Sequence, residues 1–176
     1  FDQEEKFYEA LGLDWIPPEI RENKGEIELA IQHNLPKLVE LSDIKGDFHL
    51  HSSYPIEPSH DAGMNTMDEM IKKGLSLGYK YLGFSEHNPS VSRHSKKQIT
   101  EILKKRKTFI DHLDSEYKKS IRVFSLLETD ILPNGDLAIG DNDLALLDAT
   151  IVSIHSVFNM DKATMTKRVL RGLSHP

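Results

Sequence analysis

The stretch Gly46-Asp-Phe-His-Leu-His-Ser52 ends a short apolar run with two histidines. Three later apolar runs end in a histidine or a carboxylate in the same way: Lys80-Tyr-Leu-Gly-Phe-Ser-Glu-His87, Ile121-Arg-Val-Phe-Ser-Leu-Leu-Glu128 and Ala149-Thr-Ile-Val-Ser-Ile-His155. Runs of this length and content are typical of buried strands. We therefore predict strands over residues 46–51, 79–85, 121–128 and 149–154, each ending in a possible metal ligand.

Helical patterns alternate with these strands. We predict helices over residues 66–77, 96–118, 142–147 and 161–173, and Thr66 and Ser95 begin two of them with capping-box spacing. Strands that alternate with helices are typical of βα units. The predicted fold class is therefore α/β, with a parallel sheet or barrel.

The first 45 residues have a different pattern. They indicate short helices over residues 2–11, 15–20 and 25–33, and Pro17-Pro18 prevents one continuous helix. We predict a helical lead-in over residues 1–45 and an α/β domain over residues 46–176. Because the chain starts without methionine and stops directly after a helical pattern, we expect it to be a fragment of a longer protein.

Composition narrows the possible chemistry. The chain has 176 residues, of which 38% are hydrophobic and 28% charged, as in a globular protein. It contains no cysteine, which excludes disulfides, thiol catalysis and cysteine-bound metals, whereas nine histidines offer nitrogen ligands. No apolar run reaches the ~20 residues that cross a bilayer, so we expect no membrane association and a cytoplasmic location. The net charge of −6 neither supports nor excludes DNA binding.

His49 and His51 are two residues apart, so in a strand they share a face while Phe48 and Leu50 point the other way. Taken alone, the pair is equally well interpreted as exposed or hydrogen-bonded histidines at a strand end. The later strands favour a metal site, because the carboxyl ends of parallel strands form one functional rim. The residues predicted to meet at this rim are His49, His51, His87, Glu128 and His155.

Asp61 is the next oxygen candidate, in the polar loop Ser59-His-Asp-Ala-Gly63. Its carboxylate could fold back over the rim, or it could cap a turn before Gly63. Four further histidines are expected to be solvated, namely His33, His60, His94 and His112.

Imidazole and carboxylate ligands without sulfur suit zinc, manganese or iron(II), and a glutamate can bridge two ions. Clustered divalent ions promote phosphoryl transfer, so phosphoester hydrolysis is the natural assignment. A phosphate-binding P-loop, a Gly-x-Ser-x-Gly elbow and a His-Glu-x-x-His motif are missing from the sequence. The basic stretch over residues 96–107 has apolar residues at helical spacing, which indicates the solvated face of an amphipathic helix.

These motifs, together with Leu127-Glu-Thr-Asp-Ile-Leu-Pro133 and Ser153-Ile-His-Ser156, resemble the polymerase-and-histidinol-phosphatase (PHP) domain. More specifically, they resemble the PHP domain at the C-terminus of bacterial and archaeal family X DNA polymerases. The lead-in Leu11-Gly-Leu-Asp-Trp-Ile-Pro-Pro-Glu-Ile-Arg21 with Gly25-Glu-Ile-Glu28 resembles the end of the thumb and the linker of such a polymerase.

The resemblance implies a distorted (β/α)7 barrel, truncated at its C-terminus in this chain, with up to three divalent ions at the rim. It also implies a 3′-to-5′ exonuclease and 3′-end phosphatase that acts on DNA 3′ ends, with the polymerase palm and thumb in the same parent chain. Arg93 would contact a phosphate. The implied ligands are His49 and His51 for the first ion, Glu128 as a bridge, His155 for the second ion, and Asp61 with His87 for the third.

The chain departs from the family pattern in two places near the rim. Glu86-His87 stands where the family has Asp-His, and the loop from Ser52 to Gly63 is longer than the common version.

His175-Pro176 imitates a later metal-binding motif of the family. It follows a helical pattern directly, whereas the family's ligand follows another strand, so we interpret His175 as a helix-end residue. The metal cluster of this chain would then lack its last ligands, and we expect weak metal binding and poor hydrolysis. Two alternatives stay open: a stand-alone phosphatase of the histidinol-phosphate type, and a non-catalytic domain that supports the polymerase.

Overall fold

The computed structural model describes residues 1–175, which form two compact units. The first unit covers residues 1–43 and the second begins at Ile44. Within residues 1–175, no helix is both long enough and apolar enough to cross a bilayer.

The first unit consists of short helical segments. They are α1 (Glu4–Ala10), a 3₁₀ turn (Pro18–Ile20), α2 (Glu26–Ile31) and a second 3₁₀ turn (Leu41–Asp43). The predicted helix over residues 15–20 is present only as the first 3₁₀ turn, because the ring of Pro18 is tolerated in a first turn but not inside a helix. Arg21 fixes this turn to α1 by donating two hydrogen bonds of 2.8 Å to Glu4. The likeness of this unit to a thumb end and linker stays a prediction.

The second unit alternates strands with helices, as predicted. Its elements are β1 (Gly46–Leu50), α3 (Met67–Ser76), β2 (Tyr81–Phe84), α4 (Lys96–Tyr117), β3 (Arg122–Asp130), α5 (Asp141–Leu144), β4 (Ala149–Ser153) and α6 (Lys162–Leu173). Each lies within a few residues of its predicted range. The capping boxes at Thr66 and Ser95 are both formed, with hydrogen bonds in both directions.

The four strands form a curled half-barrel in the order β1-β2-β3-β4, and every neighbouring pair is parallel. Spatial order follows chain order, as in a barrel of βα units and unlike a doubly wound sheet, whose strand order reverses. The predicted parallel α/β fold is therefore confirmed, and the complete seven-stranded barrel stays a prediction.

The helices α3 and α4 cover one face of this sheet, which we call the outer face. Ile71 of α3 and Ile110 of α4 pack there against Leu82, Phe84 and Val123, all nearly inaccessible to solvent. The opposite, inner face carries the alternate residues of each strand. The side chains at the carboxyl end of each strand, beyond these packed positions, therefore form the rim.

One residue in the basic stretch of α4 is buried, although the whole stretch was predicted to be solvated. Lys104 and Lys105 are exposed, but Arg106 is fully buried against the outer face of the sheet. Its guanidinium donates to the Phe84 carbonyl at 2.7 Å and to the carboxylate of Glu86. Arg106 is therefore a core residue of the βα unit and no part of the basic surface.

Strand β1 contains a bulge that changes the predicted facing of its side chains. Asp47 pairs with Leu82 and Leu50 pairs with Phe84, so β1 has one residue more than β2 over this interval. Leu50 faces outward as predicted, but the prediction for Phe48 is wrong. Its ring stacks on Tyr81 of the inner face, with ring centroids 4.7 Å apart.

Candidate metal centre

Glu128 lies at the centre of the rim, near the carboxyl end of β3, and only 3% of its surface is exposed. Nitrogen atoms of four histidines surround its carboxylate. The distances to the nearer carboxylate oxygen are 2.9 Å for His49 Nε2, 3.0 Å for His51 Nε2, 3.4 Å for His87 Nδ1 and 3.2 Å for His155 Nε2. The structure thus brings together all five of the residues predicted to meet at the rim.

Parallel pairing is what brings these residues to one place. His87 follows β2 and forms a bridge with Glu128 of β3, so the two residues are level across the sheet. His155 follows β4, which pairs with β3 through Asp130 and Ser153. On the other side, the bulge in β1 turns His49 toward Glu128 beside His51.

Two of the ring nitrogens have no hydrogen-bond partner among the described residues. They are His51 Nε2 and His87 Nδ1, and both are buried. Buried polar atoms are normally hydrogen-bonded, and two nitrogens without a partner beside a buried carboxylate conflict with this rule. A cation between the nitrogen and the oxygen removes this conflict, so the residues present fit a metal ion.

Three groups of side chains place their ligand atoms within 4.8 Å of one another. They are His49, His51 and Glu128; His51, Asp61 and His87; and His60, His87 and His155. Imidazoles and carboxylates without sulfur are ligands for zinc, manganese or iron.

The pKa values favour the protonation states that bind metals. Burial by itself would raise the pKa of Glu128, but hydrogen bonds from His49 and Ser153 and the charge of His49 outweigh it and lower the pKa to about 2. Burial lowers the pKa of His87, with repulsion from His51 and His155 acting in the same direction. Glu128 therefore stays ionised and the His87 ring stays neutral, which are the states that a metal requires.

Asp61 reaches the cluster from the loop between β1 and α3. Its Oδ1 atom lies 3.1 Å from His87 Nε2, although the Asp61 side chain is 82% exposed. The loop can return this close to β1 because Gly63 has no side chain. A Cβ atom there would lie 1.8 Å from the His51 carbonyl oxygen.

Asp130 is a residue of the site that sequence reasoning missed. Its Oδ1 atom lies 2.7 Å from His155 Nδ1, so the carboxylate holds that nitrogen and leaves Nε2 directed at Glu128. A carboxylate behind a histidine ligand commonly fixes the ring and its tautomer. The signal that could have found it is its position two residues after Glu128, on the same face of β3.

The other histidines divide into three kinds. His33 and His112 are exposed, as predicted. The prediction for His94 is wrong, because its side chain is only 9% exposed and contacts both the Ser90 carbonyl and the Glu57 carboxylate. His60 is exposed, as predicted, and its ring nevertheless lies 4.3 Å from that of His155, centroid to centroid. The loop carries it back to the rim, a long-range contact that local pattern does not reveal.

Two residues with suggested roles belong to none of the three ligand groups. Arg93 is exposed in the loop between β2 and α4, and its guanidinium forms no hydrogen bond or ion pair within residues 1–175. His175 follows α6, and its Nε2 atom lies 3.3 Å from a carboxylate oxygen of Asp141 at the start of α5. His175 is thus at a helix end, as interpreted from the sequence, whereas Pro176 lies outside the described residues.

Comparison with known proteins agrees with the motifs. The chain is 35% identical over 175 residues to a Bacillus subtilis (strain 168) protein named DNA polymerase/3'-5' exonuclease PolX. The predicted resemblance to family X DNA polymerases is confirmed. The match covers 99% of this chain, and the chain spans 29% of the length of that PolX relative. No protein-family model matches the chain.

Proposed function

We propose that this chain is a metal-dependent phosphoesterase module of a family X DNA polymerase and acts on DNA 3′ ends as a 3′-to-5′ exonuclease. The observation that carries the proposal is the set of four histidine nitrogens within 3.4 Å of the buried Glu128 carboxylate. The name of the B. subtilis relative includes 3'-5' exonuclease, which supports DNA as the substrate class. A cytoplasmic location with the DNA follows from this proposal.

The residues that would hold the ions follow from the three ligand groups. His49 and His51 would hold the first with Glu128, His155 the second with Glu128, and His87 with Asp61 the third. When bound, divalent ions supply positive charge to phosphate oxygens and make a water molecule more acidic. Zinc, manganese and iron(II) all suit these ligands.

The protein's own part in the reaction is to keep these groups in position and in the right charge state. Glu128 stays ionised because its pKa is about 2. Asp130 holds the Nδ1 atom of His155. Arg93 is exposed, carries a positive charge and follows the rim residue His87 in the sequence. We therefore assign it to a substrate phosphate, and Arg93→Ala would raise the KM for DNA.

The match to a polymerase favours this function over a stand-alone phosphatase. It covers 99% of the chain and thus extends into the first unit, for which a free-standing phosphatase has no use. A purely supporting domain is disfavoured for another reason, because buried histidine nitrogens without partners are costly in a structure that does not use them.

The test is exonuclease activity of the gene product that contains this chain. We expect Mn²⁺-dependent shortening of a 5′-labelled single strand from its 3′ end, and a loss of ~100-fold or more in the His49→Ala variant, since metal ligands carry this chemistry. His112→Ala, at an exposed helix position, is the matched control. Equal activity of the two variants, or activity in excess chelator, would overturn the proposal.

A further inference from the structure

The loop between β1 and α3 presents two adjacent side chains to the rim, and they contact different parts of it. Asp61 lies against His87. The His60 ring instead lies over His155 and His87, at centroid distances of 4.3 Å and 5.0 Å. Both residues therefore contact His87, and His60 also contacts His155.

His60 has the geometry of a ligand. A nitrogen of His60, one of His87 and one of His155 all lie within 4.8 Å of one another. Three imidazoles are a common ligand set for zinc, which takes its fourth ligand from water or substrate. The buried Nδ1 atom of His87 has no hydrogen-bond partner among the described residues, which fits a cation beside the His87 ring.

The backbone around His60 is held by hydrogen bonds. The Ser59 N–H donates to the Asn88 carbonyl at 2.8 Å, and Pro58 forms an antiparallel bridge with Pro89. Both contacts fix the loop to the segment that directly follows His87. His60 therefore reaches the rim from a loop that is attached to the sheet directly before it.

Polar contacts also orient the His60 ring. The Ser59 hydroxyl lies 2.8 Å from His60 Nδ1. Asp130 Oδ1 lies 3.8 Å from the same nitrogen and 2.7 Å from His155 Nδ1. One carboxylate thus stands behind two imidazoles, the arrangement that commonly supports histidine ligands of a metal.

We propose that His60 is a metal ligand, which with His87 and His155 forms an ion site on the side of the cluster next to Asp130. This inference rests on the metal-dependent function proposed above. It differs from the ligand assignment given there in grouping His87 and His155 around the loop histidine beside Asp61, in place of pairing them with Asp61 and Glu128.

The experiment counts zinc ions bound to the metal-free chain after equilibrium dialysis, and measures their affinity by competition with a chromophoric chelator. The variants are His60→Gln, Asp61→Asn and His112→Gln, the last being the matched control on an exposed helix face. Because His60 is exposed, its replacement is not expected to unfold the chain, and circular dichroism checks this.

We expect His60→Gln to bind one ion fewer than the control, or to bind it ~10-fold or more weakly. Equal stoichiometry and affinity in His60→Gln and His112→Gln would overturn the inference. Because both variants would still bind zinc, that result would not contradict the metal-dependent function proposed above. Loss of an ion in Asp61→Asn but not in His60→Gln would assign the loop ligand to Asp61, and would also overturn the inference about His60. Absence of zinc binding in the unmodified chain would contradict both proposals.

Discussion

Two buried glutamates lie near the rim, and they have opposite surroundings: Glu128 near the end of β3, and Glu86 just after β2, directly before the residue that is level with Glu128. Glu86, 1% exposed, faces outward to α4. One of its oxygens accepts from the Ser52 N–H and hydroxyl at 3.0 Å and 2.5 Å, and the other accepts from Arg106. Glu128 faces inward, and two of the histidine nitrogens around it lack hydrogen-bond partners in the described chain.

The difference indicates a structural role for Glu86 and suits Glu128 to metal binding. Glu86 has a permanent cation and donors for both oxygens, so it ties α4 and the start of the loop after β1 to the sheet. Glu128 is surrounded by histidine nitrogens, an arrangement that fits a cation from solution. Burial of a glutamate is therefore uninformative by itself, and the identity of its neighbours decides between the two roles.

Breaking the Glu86 pair should have the largest effect on stability. Arg106→Met leaves the buried Glu86 carboxylate without its counterion, which typically costs about 3 to 5 kcal/mol in the free energy of unfolding. Urea denaturation measures it, with Lys105→Met on the exposed face of the same helix as control. A loss below ~1 kcal/mol, the value of a surface ion pair, would show that this pair is not structural.

Replacing the inward-facing glutamate should act on metal affinity. Glu128→Gln keeps the shape of the side chain but removes the charge that the ions would share. We expect zinc affinity to fall ~100-fold, at least as much as on loss of a residue that only hydrogen-bonds to a metal ligand. Glu101→Gln, at an exposed position of α4, is the control in the same titration. Unchanged affinity in Glu128→Gln would place the ions elsewhere.

A smaller effect is expected at the carboxylate behind His155. Asp130→Asn weakens the hold on His155 Nδ1, and the loss of such an outer partner typically costs ~10-fold in metal affinity. Chelator competition at fixed pH measures this change. A normal affinity would mean that the ring is positioned by Ser153 and Glu128 without help from Asp130.

The pH dependence of stability should show the smallest effect. Because the pKa of Glu128 is lowered from 4.5 to about 2, its contribution is fully present above pH 4.5 and is lost as the pH falls toward 2. The stability difference between the metal-free chain and Glu128→Gln should therefore shrink over this interval. A difference that stays constant across it would indicate that the Glu128 carboxyl titrates normally.

Much of the fold could be predicted from the sequence because its strands, helices and caps depend on local pattern. Thr66 and Ser95 marked the helix starts through side-chain bonds within one turn. The convergence of His87, Glu128 and His155 followed from a single rule, that parallel strands end at the same edge.

Features that depend on distant partners could not be predicted in this way. Arg106 resembled the lysines beside it, and only the approach of Glu86 explains its burial. The bulge that turns Phe48 inward arises from the register between β1 and β2. His60 reaches the rim because its loop bonds to the segment after His87, and a sequence pattern contains no trace of that contact.

The most direct test of a metal centre at Glu128 is anomalous diffraction from crystals of the chain soaked in Zn²⁺. We expect an anomalous peak about 2.0 to 2.2 Å from a Glu128 oxygen and at similar distances from ring nitrogens of His49 and His51. The absence of a peak there, with water molecules bonded to His51 Nε2 and His87 Nδ1 instead, would contradict the account.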